Sequence, residues 1–147
     1  MNAREFVFAS NPLAYKVCEG ATLNAYVHGA LLDAAYLANA LGETASAERF
    51  TQEAASLRES INAHLWDRDA KAYHGAIMNG EKTPLTAYAA MTSLYFGVAP
   101  EEHRDALVAW LAAHHGQVGS PFEHFFVFVA LYGANDPKLD GLALEIM

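Results

Sequence analysis

The chain alternates helical stretches almost without charge and stretches rich in it, and this alternation most narrows the folds open to it. Between Thr22 and Leu41 the only charged residue is Asp33; between Leu85 and Gly97 there is none; between Phe122 and Gly133 there is only Glu123. The intervening stretches differ. One carries Glu48, Arg49, Glu53, Arg58 and Glu59 around an apolar stripe of Ala47, Phe50, Ala54, Leu57 and Ile61. Another carries Glu101, Glu102, Arg104 and Asp105, with Leu107, Trp110 and Leu111 on its other side. A helix apolar all round is buried all round, whereas one with a single apolar stripe lies at a surface. The pattern predicts two layers, charge-poor helices inside and charged helices outside.

The punctuation repeats as well. TPLTAYAAMTSLYFGVAP (83–100) is uncharged, and its landmarks return 37 positions later: Thr83 on Ser120, Pro84 on Pro121, Leu94 on Leu131, Tyr95 on Tyr132, Pro100 on Pro137. A fixed offset of this size marks a repeated helical hairpin. Start and stop signals give six helices. The first runs from about Thr22 to Leu41 and stops at Gly42; the second follows an N-cap at Thr44 and ends near His64. The third starts with Thr83 as N-cap and Pro84 at the first helical position, and stops at Gly97. The fourth starts at Pro100, with Glu101 and Glu102 against the positive end of the helix dipole, and ends at Gly116. The fifth opens on a capping box, Ser120 with Glu123, and the sixth on Asp136 and Pro137. Around an Asp-rich turn, WDRDAKAY predicts a short β-hairpin-like excursion near 66–74, and no other strand is predicted.

The expected fold is therefore all-α: an irregular lead-in over 1–20, then a helical domain over 21–147 of three hairpins in two layers. Tyr26, Leu31, Leu94, Phe126 and Leu131 are expected to be buried, and Glu48, Arg49, Glu59 and Arg104 exposed. An open solenoid usually leaves both helices of each hairpin a polar face. The near-absence of charge on the odd helices favours a closed α/α toroid, of which three hairpins make about half.

Composition sets outer bounds. With 147 residues, 53% hydrophobic and 18% charged, the chain is long and apolar enough for one domain with a real core. Its longest apolar run, Phe125 to Ala134, falls short of the roughly 20 residues that span a bilayer. MNAREFVF (1–8) is unlike a signal peptide, so a cytoplasmic location is expected. Nine basic against seventeen acidic residues give a net charge of −8, and no Lys/Arg cluster exists. Nucleic acid and anionic membranes are thereby disfavoured as partners. Cys18 has no second cysteine for a disulfide or a CxxC motif. The seven histidines include no His-Glu-x-x-His, and the neighbours His114 and His115 cannot share a helix face; neither metal nor cofactor is expected.

NAYVHGALLDAAYLANALG (24–42), AERF (47–50), LWD (65–67), LYFGVAPEEH (94–103) and GSPF (119–122) together resemble the bacterial α-L-rhamnosidase-like six-hairpin glycosidases. The likeness runs from about Thr22 onward. It implies an (α/α)6 toroid whose central pocket binds a terminal sugar, a rhamnoside-like saccharide, and an inverting mechanism. Inversion needs an acid and a base carboxyl group roughly 6.5–9.5 Å apart. The resemblance places the family's acid upstream of the matched region and its base beyond the helix that ends here, so neither maps onto a residue of this chain. Where the family often shows His-x-Asn near the start of the third helix, this chain has Thr86 and Tyr88.

With the odd helices inner and parallel, Glu19, Glu81 and Glu123 lie at or just before one rim, where glycoside hydrolysis needs its carboxylates. Each also has a bland reading: Glu123 in its capping box, the other two as solvated loop residues. His124 sits beside Glu123 at the mouth. His28, with Asn24 one turn earlier, offers hydrogen bonds to a sugar or serves as a satisfied core residue. Tyr88 offers a stacking face or packs in the core. The expectation is a carbohydrate-active segment of a glycoside hydrolase that is inactive alone, with the remainder of the toroid or self-association covering its open ends. The alternative is a non-catalytic helical-repeat module that binds a protein partner.

Overall fold

The computed structural model describes residues 19–147, and of Glu19 only the backbone. The elements are β1 (Glu19–Gly20), α1 (Ala21–Ala40), α2 (Thr44–Leu65), β2 (Trp66–Asp67), β3 (Ala72–Tyr73), β4 (Ala76–Met78) and β5 (Glu81–Lys82). They continue with α3 (Ala87–Tyr95), α4 (Glu101–His114), a 3-10 turn (His115–Gln117), α5 (Pro121–Tyr132) and α6 (Pro137–Ile146). The lead-in expected over 1–20 lies outside the described residues except for its last two, which form β1.

The inner row is α1, α3 and α5, with α3 in the middle packing on both others. Behind it α2 covers α1, α4 covers α3 and α5, and α6 covers α5. The three inner helices run the same way. Ala21 N donates to Gly75 O and Thr86 N to Tyr73 O, while Ala87 N donates to Gln117 Oε1. Their starting ends therefore meet on one side. Three hairpins in two layers are part of an (α/α)6 toroid, as the charge partition implies.

Burial follows neighbours. In α3 Ala87 and every residue from Ala89 to Leu94 are buried, whereas α1 and α5 leave large apolar side chains in water. Leu94, Phe126 and Leu131 are buried as expected, and Glu48, Arg49 and Glu59 are exposed. Tyr26 and Leu31 are only half-buried. Arg104 is also half-buried, its guanidinium lying beside Gly133 at the end of α5.

Four local expectations need correction. The third helix starts at Ala87, not at Thr83–Pro84. Residues 83–86 are held extended, because Gly75 N donates to Pro84 O, Thr83 N to Ala76 O and Thr86 N to Tyr73 O. Thr86 is the cap, its side chain accepting from Ala89 N at 3.2 Å. Second, Thr44 lies inside α2. The end of α1 closes through Glu43 N on Ala38 O, so α2 begins at once behind Glu43, without a side-chain cap. Third, Ser120 caps α5 without a side-chain hydrogen bond, so no capping box forms; Glu123 N and His124 N both donate to its carbonyl.

Fourth, the β-structure is larger than one excursion. The expected hairpin pairs Trp66 with Tyr73 and Asp67 with Ala72. A second hairpin, β4 to β5, pairs Ile77 with Lys82 and Met78 with Glu81, and β1 joins it through Glu19 opposite Ile77. Its turn is Asn79–Gly80, with φ of 54° and 82°. Asn-Gly tolerates positive φ at both loop residues, which makes it the strongest short hairpin signal a sequence carries.

The ends of α3 are anchored from elsewhere. Val98 N donates to Ser93 O and Gly97 N to Leu94 O around Gly97, whose φ is 68°. That closes the helix with a left-handed residue that glycine adopts without strain. The carbonyl of Val98 then accepts from Arg58 Nε and Asn62 Nδ2 of α2. Asn62 also accepts from the buried phenol of Tyr73, linking the hairpin to the inner row.

Candidate functional site

The residues singled out from sequence separate onto different faces. Asn24 lines a cavity of ≈ 100 Å³ with Leu57, Ser60, Ile61 and His64 of α2, so it faces the outer layer. His28, one turn on, follows it there. It is buried, with Nδ1 unpartnered. Burial, with a smaller push from the Arg58 charge, holds its pKa below the ordinary value despite the opposing Phe96 carbonyl.

The rim residues fare differently. The Tyr88 hydroxyl accepts from Gly119 N at 3.3 Å, tying the start of α3 to the approach of α5. His124 donates from Nδ1 to Ser120 O at 2.9 Å and lies near Phe128. Glu81 is exposed on β5, and Glu19 enters only through its backbone pairing on β1, at the opposite edge of the same sheet. Glu123, in the first turn of α5, is half-buried. Among the described residues no three His, Cys, Asp or Glu side chains converge, so none is assigned to a metal.

A different set does converge. Tyr26 is two residues past Asn24, about 200° round the helix, and therefore points away from α2 to the free face of the inner row. Its ring packs on Phe96 at 4.7 Å and edge-on against Phe126 at 5.9 Å. Tyr95, the last residue of α3, packs on Phe126 at 4.8 Å and Phe125 at 5.8 Å. Phe122 meets Phe126 at 5.9 Å. Glu123 follows Phe122 in the first turn of α5. The Tyr26 phenol is held above its ordinary pKa by burial first, then by the negative field of Glu123, then by Tyr95. All three inner helices thus contribute to one aromatic surface, and the Glu123 charge is near enough to act on its Tyr26. Aromatic faces of this kind stack on the C–H face of a pyranose, and a carboxylate accepts hydrogen bonds from its hydroxyls.

The family of mannosylglycerate hydrolase MGH1-like glycoside hydrolase domains matches residues 10–123 of this chain. The chain belongs to this family. Among solved structures, the GH78 family rhamnosidase of Bacillus sp. GL1 is similar, with a TM-score of 0.75 and 31% identity. That similarity covers 86% of this chain but 13% of the rhamnosidase chain, so this chain spans a small part of its relative. No curated protein matches it.

An MGH1-like glycoside hydrolase domain related to a rhamnosidase accounts for the charge partition: an uncharged inner row is what a helical toroid presents around its centre. The family match ends at Glu123, in the first turn of α5. From sequence, Tyr26 was expected in the core, Tyr95 was a landmark of the repeat, Phe122 and Phe125 belonged to a charge-poor helix, and Phe96 was not singled out. The offset of two between Asn24 and Tyr26 is the signal that separates the outer face from the free one. No helix among the described residues is long and apolar enough to cross a membrane.

Proposed function

We propose that the chain forms part of the catalytic toroid of an inverting glycoside hydrolase, and that a saccharide lies against the free face of its inner row. Support comes chiefly from one observation: Tyr26, Tyr95, Phe122, Phe125 and Phe126 from three inner helices pack on one another, and among the described residues Glu123 is the carboxylate whose charge acts on Tyr26. Inversion needs two opposed carboxyl groups, one to protonate the leaving oxygen and one to activate water. Along α1 the other acid, Asp33, is exposed two turns beyond Tyr26, and Glu81 belongs to the β-hairpin. The described half-ring therefore contributes to binding and does not complete the reaction.

The relative's name favours a rhamnoside as substrate, and the family's name a mannosylglycerate. Further hairpins of the ring complete the inner layer. The purified 147-residue chain is expected to show no turnover of an aryl α-L-rhamnoside above background. Saturable hydrolysis that disappears in Glu123→Gln would overturn this and make Glu123 catalytic.

A further inference from the structure

We infer that a second copy of this chain closes the ring: about a two-fold axis, the stripe of Phe125, Val129 and Tyr132 on α5 of each copy packs on one flank of α1 of the other. The stripe has an equivalent that is already in contact. Counting back 37 positions gives Tyr88, Thr92 and Tyr95 of α3, and the two helices end at the matching residues Tyr95 and Tyr132. On α3 that side faces α5. The Tyr88 hydroxyl accepts from Gly119 N on the approach to α5, and the Tyr95 ring packs on Phe125 and Phe126. Thr92, between them along the helix, is fully buried. On α5 the same side leaves Phe125, Val129 and Tyr132 exposed. The repeat thus turns toward a next helix the face by which α3 receives α5. It does so in more apolar form, with phenylalanine in place of Tyr88 and valine in place of Thr92.

The receiving flank lies on α1. Gly29 sits against the Phe96 ring at the end of α3 and so marks the side of α1 that α3 covers. Leu23, Val27, Ala30, Ala34 and Leu37 recur at alternating steps of four and three residues, and fall about 80–160° round the helix from Gly29. None of the five is buried, and Ala30 and Leu37 are exposed. The inner helices run the same way, and Gly133 follows Phe96 by 37 residues. The end of α5 therefore comes level with Gly29 and Ala30 of the second copy.

The count of hairpins commits this contact to a second copy. Three hairpins are half of a six-hairpin ring, and a half-turn carries one half onto the other. The same operation sets α5 on α1 and α1 on α5, so both flanks are covered at once and the assembly stops at two. The charged side chains of α2 and α4 stay outside, away from the contact. Tyr26, Tyr95 and Phe126 pack on one another within each copy, and closure sets two such groups across one central pocket that neither half encloses alone.

The test uses the full 147-residue chain. Sedimentation equilibrium is expected to give twice the 15.9 kDa of one copy. In a Cys18→Ser background, which removes the one native thiol, Ala30→Cys and Tyr132→Cys are made as separate variants. Both positions are exposed, and circular dichroism melts establish that each variant is folded. Mild oxidation is expected to cross-link a mixture of the two into a dimer and to leave each variant alone uncross-linked. Val129→Asp, which puts an unpaired charge into the contact, is expected to weaken the dimer about tenfold or more. Cross-linking of Tyr132→Cys with itself would mean that α5 meets α5, and overturns the inference. A monomer at high concentration, assemblies larger than two, a mixture that does not cross-link, or an unweakened Val129→Asp dimer overturns it as well. Each of these leaves the saccharide reading standing, because that reading rests on aromatic packing within one copy.

Discussion

α3 and α5 are both charge-poor helices of the inner row, and they share landmarks 37 residues apart, yet they meet water very differently. The first is enclosed by α1, α5 and α4, and seven of its nine residues are buried. The second has Phe122 72%, Phe125 51%, Val129 40% and Tyr132 41% exposed. At 100° per residue these four fall within about 80° of the circumference, so they form one stripe. The buried residues Phe126, Val127, Ala130 and Leu131 occupy the adjoining arc, toward α3, α4 and α6, with Phe126 at its edge against Phe122 and Phe125. The same apolar content is core in one helix and surface in the other. What differs is the presence of a neighbour, and in the chain by itself a contiguous apolar stripe of this kind is free to associate, whether or not part of it also meets a saccharide.

The comparison breaks most readily through truncation. Met91→Ala in α3 removes a fully buried side chain and is expected to cost about 2–5 kcal/mol. Phe122→Ala in α5 should stay within about 0.5 kcal/mol. Urea denaturation measures both; equal losses would mean that the α5 stripe is covered in solution. Association comes next. The 15.9 kDa chain is expected to sediment above its monomer mass, and Phe122→Lys with Phe125→Lys should weaken that association about tenfold, ~1.4 kcal/mol. A wild-type chain that stays monomeric at high concentration would refute the contact-surface reading.

The helix starts sharpen the contrast on a smaller scale. Thr86 holds Ala89 N with its side chain, whereas Ser120 makes no such bond. Thr86→Ala should therefore cost about 1 kcal/mol and Ser120→Ala almost nothing. Comparable costs would show that Ser120 caps in solution after all. The smallest effect is acid sensitivity at His28, which packs between α1 and α2. Its folded pKa is lowered below the 6.5 of the free side chain, so the unfolded chain binds the extra proton first. Stability is complete above pH 6.5 and declines as the pH falls below it, until the folded value is passed. Denaturation midpoints at neutral and mildly acid pH should separate more in wild type than in His28→Gln.

Much of the fold was legible because its signals are local. Gly97 stops α3, Asp136 and Pro137 start α6, and the charge partition separates the layers. The Asn79–Gly80 turn is just as local, but the strands it joins, Ala76–Met78 and Glu81–Lys82, are too short to show an alternating pattern. The candidate site was less legible. Glu123 was singled out for its place at a helix start, while Asn24 and His28, chosen as polar residues on an apolar helix, face α2 instead.

By itself, then, the sequence determined which segments are helical, where most of them end, and which of them shun water, because those properties depend on side chains within one or two turns. Only the tertiary structure decided that α3 is capped by Thr86 rather than Thr83, since the hydrogen bonds that hold 83–86 extended come from Tyr73, Gly75 and Ala76, back across the β4–β5 hairpin. It also decided that Tyr26, Tyr95 and Glu123, spread over nearly a hundred residues of chain, share one surface. Helix propensity is set by near neighbours along the chain; burial and the convergence of side chains are set by whichever helices pack alongside.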